Sequence, residues 1–153
     1  MAFDLTGKTA LVTGTSGGIG QGIAIGLAEA GAQVVAVSAS NSDETVAAIR
    51  ALGGKAEQIS ADLSDADGLP RLFEQAVGFF GSIDILVNNA GTIRRTPAAD
   101  HARQDFEDVI ELNVNSVFYL SQLAGRHMIE RGSGTIINIA SMAALMQGPA
   151  MSN

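Results

Sequence analysis

Apolar and polar positions fall along the chain in blocks of two different periods. An apolar run over 9–12 predicts a buried strand over 8–13, and 33–38 is close to continuously apolar, the pattern of a strand buried on both faces of a parallel sheet. Shorter runs of the same kind predict strands over 56–61, 83–87 and 135–140. Between them apolar positions recur every three or four residues, which predicts helices over 18–30, 43–52 and 65–80. In the third of these, Leu69, Leu72, Phe73, Val77 and Phe80 share one side. A long stretch, 103–131, reads as largely helical with a break near Asn113. Gly31 and Gly53-Gly54 stand where helices end, and Ser42 or Asp43 where the second begins. Strands alternating with helices predict an α/β fold: a doubly wound parallel sheet of five strands with flanking helices and right-handed crossovers. No repeat, low-complexity segment or linker divides the 153 residues, so a single domain is expected.

In such a sheet ligands sit in the loops beyond the strand C-termini. The first strand runs into Gly14-Thr15-Ser16-Gly17-Gly18-Ile19-Gly20. Glycine there lets backbone approach a ligand with no Cβ between, and a following helix turns its N-terminal N–H groups toward a phosphate. The spacing Gly-x3-Gly-x-Gly, with no Lys-Ser or Lys-Thr after it, argues against a triphosphate P-loop and leaves a dinucleotide turn or a ligand-free tight turn. Ser38, Ala39, Ser40 and Asn41 follow the second strand, where a dinucleotide site reads the adenosine ribose; none is acidic or basic. Asp62-Leu63 follows the third, with a carboxylate that could accept from an adenine amino group or simply be solvated. Asn88-Asn89-Ala90-Gly91 follows the fourth. Two adjacent amides are costly to bury unpaired, so they must bond to neighbouring backbone or to a ligand. Ser141 follows the fifth, in a loop rich in Met, Ala and Gly.

Composition narrows the partners. Net charge is −7 and the nine basic residues are scattered, which argues against nucleic acid. There is no cysteine, and His101 and His127 lie far apart, so a thiol nucleophile, a disulfide framework and a His/Cys metal site are not expected. The first eight residues lack a basic region followed by an apolar one, and no uncharged apolar run is long enough to span a bilayer. A soluble cytoplasmic protein acting on a small molecule is the expectation.

Taken together, Thr13-Gly14-x3-Gly18-Ile19-Gly20, Asp62-Leu63, Asn88-Asn89-Ala90-Gly91, Asn113 and Ile139-Ala140-Ser141 resemble the short-chain dehydrogenase/reductase family. The resemblance implies a Rossmann-type fold holding NAD or NADP through Gly14, Ser16, Gly18, Ile19, Gly20, Ser38, Asp62, Leu63, Asn88, Ala90 and Gly91. It implies hydride transfer between a nicotinamide and a secondary alcohol or ketone. It also implies that Asn113 and Ser141 belong to a catalytic tetrad completed by a Tyr and by a Lys four residues after it. Ser141 would bond the substrate oxygen, and Asn113, at a helix irregularity, would hold a water that relays protons.

The sequence departs from that pattern in one respect. Its only tyrosine, Tyr119, is followed four residues on by Leu123, and its only lysines are Lys8 and Lys55. Tyr119 reads as a packing residue. The family spacing from Ser141 reaches Met151-Ser152-Asn153 and the position after it, so the sequence reads as cut just before Tyr-x3-Lys, with the C-terminal part of the domain missing. On that reading the fifth strand is an open apolar edge, Val117, Leu120 or Leu123 is exposed, and the 153 residues alone are inactive and poorly soluble.

Within the family, the stretch 88–97 with Ile93-Arg94-Arg95, and residues 136–142, resemble the 2-deoxy-D-gluconate 3-dehydrogenases. This implies a sugar-acid substrate, such as 2-deoxy-D-gluconate or a keto-deoxy-gluconate, whose carboxylate Arg94, Arg95 or both would bind. A 3-oxoacyl-carrier-protein reductase and a non-catalytic nucleotide-binding fragment are the alternatives. NAD is expected over NADP, because Gly17 and residues 38–41 are neutral and Asp43 and Glu44 repel a 2′-phosphate. A homotetramer using the helix over 113–131 is implied by the same resemblance.

Overall fold

The computed structural model describes residues 3–141. Five parallel strands, β1 (Thr9–Thr13), β2 (Gln33–Ser38), β3 (Ala56–Ser60), β4 (Ile85–Asn88) and β5 (Thr135–Asn138), form one sheet in the order β3-β2-β1-β4-β5. The connecting helices are α1 (Gly18–Glu29), α2 (Asp43–Ala51), α3 (Leu69–Phe80), α4 (Arg103–Ile110) and α5 (Ser116–Arg131). The chain winds outward from β1 through β2 to β3, then returns to the other side of β1 for β4 and β5. The order therefore reverses between β1 and β4, the place where doubly wound sheets form their ligand crevice.

Side chains along β1 alternate between two cores. Leu11, with Val35, Val37 and Leu86, packs against Leu69, Leu72 and Phe73 of α3 and Leu120 and Ala124 of α5. Ala10 and Val12, with Val34, Ala36, Ile85 and Val87, pack against Ala24 and Ala28 of α1 and Val46 and Ile49 of α2. Both faces of the central strands are covered, which is why apolar residues follow one another directly along them rather than at every second position.

Several boundaries differ from the sequence reading for identifiable reasons. The helix expected over 65–80 divides into a 3-10 turn, Ala66–Gly68, and α3. Pro70 fits the first turn of α3, where a missing N–H costs nothing, and the Asp65 side chain accepts from Gly68 N at 3.3 Å. β4 begins at Ile85 rather than 83, because Asp84 is engaged by its side chain: Oδ2 accepts Thr9 N at 2.9 Å and Oδ1 pairs with Arg131 Nη2 at 3.1 Å. Between α4 and α5 the expected irregularity is a π-helical turn over Glu111–Asn115. Its widened ring is closed by Ser116 N on Glu111 O, and the Ser116 hydroxyl takes up the Leu112 carbonyl.

At β5 the apolar residues are uncovered: Ile136, Ile137 and Ile139 are 37–42% exposed. Along α5 the exposed side is not the expected one. Leu120 is buried against α3, whereas Val114, Phe118, Tyr119 and Ile129 face outward. Tyr119 is thus not a core packing residue; its ring meets Phe118 edge-on at 5.6 Å on the surface.

Candidate functional site

The crevice between β1 and β4 is built around Thr13 and Asn89. The Thr13 hydroxyl donates to Val87 O at 3.3 Å and accepts the backbone N–H groups of Asn89 and Ala90, each at 3.0 Å. The Asn89 side chain adds to the link, its Nδ2 donating to Thr13 O at 3.0 Å and toward Gly14 O at 3.4 Å. This lacing joins the glycine-rich turn to the loop after β4, and neither residue stood among the site candidates. Period-two alternation could have found Asn89: Asn88 points into the core, so its neighbour must point out of it.

Gly14 and Gly20 serve that close packing. Gly14 has φ +74°, and a Cβ on Gly20 would lie 2.1 Å from Gly14 O and 2.5 Å from Asn89 Nδ2. Gly17 and Gly18 differ: a Cβ on either would meet nothing within 4 Å, so the space above the turn is open. No side chain caps α1 and no acidic residue occupies its first turn, leaving its N-terminal N–H groups and positive dipole end for an anion. Ser16 is exposed beside it, and Ile19 stands 68% exposed at the helix head. These features fit a dinucleotide diphosphate.

The side chains of three of the expected cofactor residues are turned inward. The Asn88 amide nitrogen donates to Ser121 Oγ at 3.0 Å and Asn138 Oδ1 at 2.9 Å, so it pins β4 to α5 and β5. Leu63 is 5% exposed and its side chain belongs to the core under α3. The Ser38 hydroxyl, on a residue 5% exposed, is bonded to Ser40 O and lies 3.0 Å from Ser42 Oγ. Burial explains each case: a polar group there must find a partner inside the protein.

A second cleft, of about 510 Å³, adjoins the loop after β4 and is lined by Asp62, Ser64, Thr92, Arg94, Asp108, Glu111 and Leu112. Asp62 accepts the hydroxyl and the N–H of Ser64, and these bonds, the hydroxyl first, hold its carboxyl below the ordinary carboxylate value. Asn113 clasps the loop with both ends of its amide: Oδ1 accepts Thr92 N and Nδ2 donates to Thr92 O, each at 2.8 Å. Gly91 lies against that amide, since a Cβ there would come within 3.3 Å of Asn113 Oδ1. The Asn113 side chain is committed to the loop.

Arg94 Nη1 donates to Thr92 Oγ1 at 2.8 Å, and Nε lies 3.7 Å from Asp105. Arg95 is exposed and makes no such contact. The expected grouping of two arginines as one positive island is therefore reduced to one neutralised and one open cation. Ser141 follows the last ladder bond, Ile139 N to Asn88 O at 2.9 Å, at the same end of the sheet. The expected tetrad positions at Met151-Ser152-Asn153 lie outside the described residues. Among the described residues no cluster of His, Cys, Asp and Glu could hold a metal, and no helix is long and apolar enough to cross a membrane.

A parallel sheet with its crevice at the reversal, an open glycine turn and an uncapped helix above it define a Rossmann-type fold. The model of the short chain dehydrogenase family matches residues 8–153, and the chain belongs to that family. A curated relative, 2-dehydro-3-deoxy-D-gluconate 5-dehydrogenase of Escherichia coli, is 49% identical over 148 residues, covering 96% of this chain and 58% of the relative. A 3-oxoacyl-[acyl-carrier-protein] reductase of Synechocystis is 40% identical over 152 residues, covering 97% of this chain and 62% of that one. A solved structure named as an NAD(P)-dependent gluconate 5-dehydrogenase of Beutenbergia cavernae, with NADP bound at low occupancy, superposes with a TM-score of 0.89 at 39% identity. It covers 95% of this chain and 59% of that one. The chain thus spans about three-fifths of the length of these relatives.

Proposed function

We propose that the protein is a nicotinamide-dependent oxidoreductase whose substrate is a sugar acid, 2-deoxy-D-gluconate or a keto-deoxy-gluconate, and whose preferred cofactor is NAD. The observation that carries this reading is the open glycine turn at Gly17 and Gly18 under an uncapped helix, laced to the loop that leads to Arg94 and Arg95. The greater similarity to a deoxygluconate dehydrogenase than to an acyl-carrier-protein reductase supports a sugar acid. The cofactor would supply hydride transfer. Gly18 and Ile19 N–H groups would hold its diphosphate, Asp62 its adenine, and Ala90 and Gly91 backbone the region of the nicotinamide. Ser141 would bond the substrate oxygen and Arg95 the carboxylate. NAD fits a ribose loop with no cation, flanked by Asp43 and Glu44.

The same reading makes the protein a homo-oligomer through the π-turn and α5, where Val114, Phe118, Tyr119 and Ile129 are exposed. Turnover of 2-deoxy-D-gluconate with NAD by the protein purified from its own cells tests the activity. Turnover of an acetoacetyl thioester in its place would favour the reductase reading.

A non-catalytic dinucleotide-binding role is favoured by one observation. The sequence has no Tyr-x3-Lys, and Tyr119 lies on the surface of α5. We infer that the 153 residues bind the dinucleotide but do not by themselves carry out proton transfer. Cofactor binding without turnover by this polypeptide is the expected result; turnover by it alone would refute the inference.

A further inference from the structure

The loop after β4 carries an apolar side chain that the function above leaves unused. Ile93 is 66% exposed between two anchored neighbours. Thr92 is clasped at both its backbone groups by the Asn113 amide, each bond 2.8 Å. Arg94 folds back on the same stretch, its Nη1 donating to Thr92 Oγ1 at 2.8 Å and to Ile93 O at 3.3 Å. The backbone on either side of Ile93 is thereby fixed. An isoleucine is held out at a set place beside the crevice, with its ordering cost already met by its neighbours.

The two sides of this loop differ in chemistry. Residues 91–97 form neither helix nor strand. Thr92 and Arg94 line the 510 Å³ cleft, whereas Ile93 and Arg95 do not. That is the alternation of an extended run, and it places Ile93 and Arg95 together on the other side, about 7 Å apart. The cleft reaches toward β3 through Asp62 and Ser64. β5, with Ser141 beyond it, borders β4 on the opposite side. The side turned away from the acidic cleft therefore offers one apolar side chain and one open guanidinium, close enough for a single short acid to touch both.

Resting on the sugar-acid reading above, we propose that Ile93 is a specificity-determining residue that selects a deoxy sugar acid over its hydroxylated counterpart. In 2-deoxy-D-gluconate and in 2-keto-3-deoxy-D-gluconate a methylene lies one or two bonds from the carboxylate, where the parent acids carry a hydroxyl. With the carboxylate on Arg95, that methylene meets Ile93. A methylene there loses nothing by leaving water. A hydroxyl in the same place gives up its bond to water and finds no partner on an isoleucine.

The test is kcat/KM for two pairs of acids: 2-deoxy-D-gluconate with D-gluconate, and 2-keto-3-deoxy-D-gluconate with 2-keto-D-gluconate. It uses the protein purified from its own cells, as wild type, Ile93→Thr, Ile93→Val and Arg95→Ala. Wild type should favour the deoxy member of each pair it turns over. Ile93→Thr supplies a hydroxyl to partner the substrate's own and should narrow that preference about tenfold, chiefly by raising kcat/KM for the hydroxylated acid. Ile93→Val stays apolar and should retain the preference. Arg95→Ala should slow both members of a pair alike and leave their ratio in place, because both carry the carboxylate. Ile93 is exposed, so its variants should melt with wild type. A merely disturbed loop would also slow both acids alike, so an unmoved ratio in Ile93→Thr overturns the proposal, as does a wild type that prefers the hydroxylated acids. Turnover of none of the four acids sinks the sugar-acid reading and this proposal with it; turnover with an unmoved ratio sinks the Ile93 role alone.

Discussion

Thr13 and Asn89, 76 residues apart, are joined by two hydrogen bonds that Asn89 donates: its backbone N–H reaches the Thr13 hydroxyl and its side-chain amide reaches the Thr13 carbonyl, each at 3.0 Å. The end of β1 and the end of β4 are thereby locked together across the reversal point of the sheet. Thr13→Val keeps the shape and removes the acceptor for two backbone N–H groups. It should destabilise the protein by about 2–3 kcal/mol, the cost of leaving such groups unsatisfied. Thr13→Ser should cost about 1 kcal/mol or less, since it keeps the oxygen. Urea midpoints at unchanged slope measure both.

The glycines of the turn are not equivalent. Gly20→Ala places a methyl 2.1 Å from Gly14 O and must push the turn off Asn89, so it should lower stability and abolish dinucleotide binding together. Gly17→Ala meets open space at an extended φ of 172° and should leave the melting temperature unchanged. A destabilised Gly17→Ala protein would show that the space above the turn is not open.

The Asp62 carboxyl is held below its ordinary value by the Ser64 hydroxyl and N–H. Because the folded value is the depressed one, this contribution to stability is present above the unfolded carboxylate value and is lost as pH falls through the folded one. Ser64→Ala should move the Asp62 titration, followed by carboxyl NMR, back toward the ordinary value. Asp62 is well exposed, so solvent screening keeps the accompanying change in overall stability small.

Arg95 should matter more for an acidic substrate than Arg94, whose guanidinium already faces Thr92 and Asp105. In the active protein, Arg95→Ala should raise KM for a sugar acid by about ten- to a hundredfold, the loss of a charge-assisted pair, and leave a neutral polyol unaffected. Arg94→Ala should raise it less. Equal effects on both substrates would count against a carboxylate contact.

The strands of the central sheet were legible because burial on both faces favours consecutive apolar residues, as in Val34-Val35-Ala36-Val37. The glycine turn was legible because close packing at Gly14 and Gly20 tolerates no other residue there. The roles inside the loops were not. Asn88 and Asn89 read alike in sequence, and only the strand's alternation sends one into the core and the other across the crevice. Ser38 reads in sequence as a ribose contact and Ser42 as a helix cap; the Ser42 partners Thr15 and Gln58 lie on the glycine turn and β3, far along the chain, where spacing cannot find them. Leu120 was expected on the exposed side of α5, but α3 covers it; periodicity gives a helix its faces without saying which one meets a neighbour.

If the turn from Gly14 to Gly20 holds a dinucleotide, calorimetric titration of the 153-residue chain with NAD shows it most directly. The prediction is one saturable site per chain, lost in Gly20→Ala and retained in Gly17→Ala. Absence of NAD and NADP binding by the folded wild-type protein, or binding that survives Gly20→Ala unchanged, would contradict it.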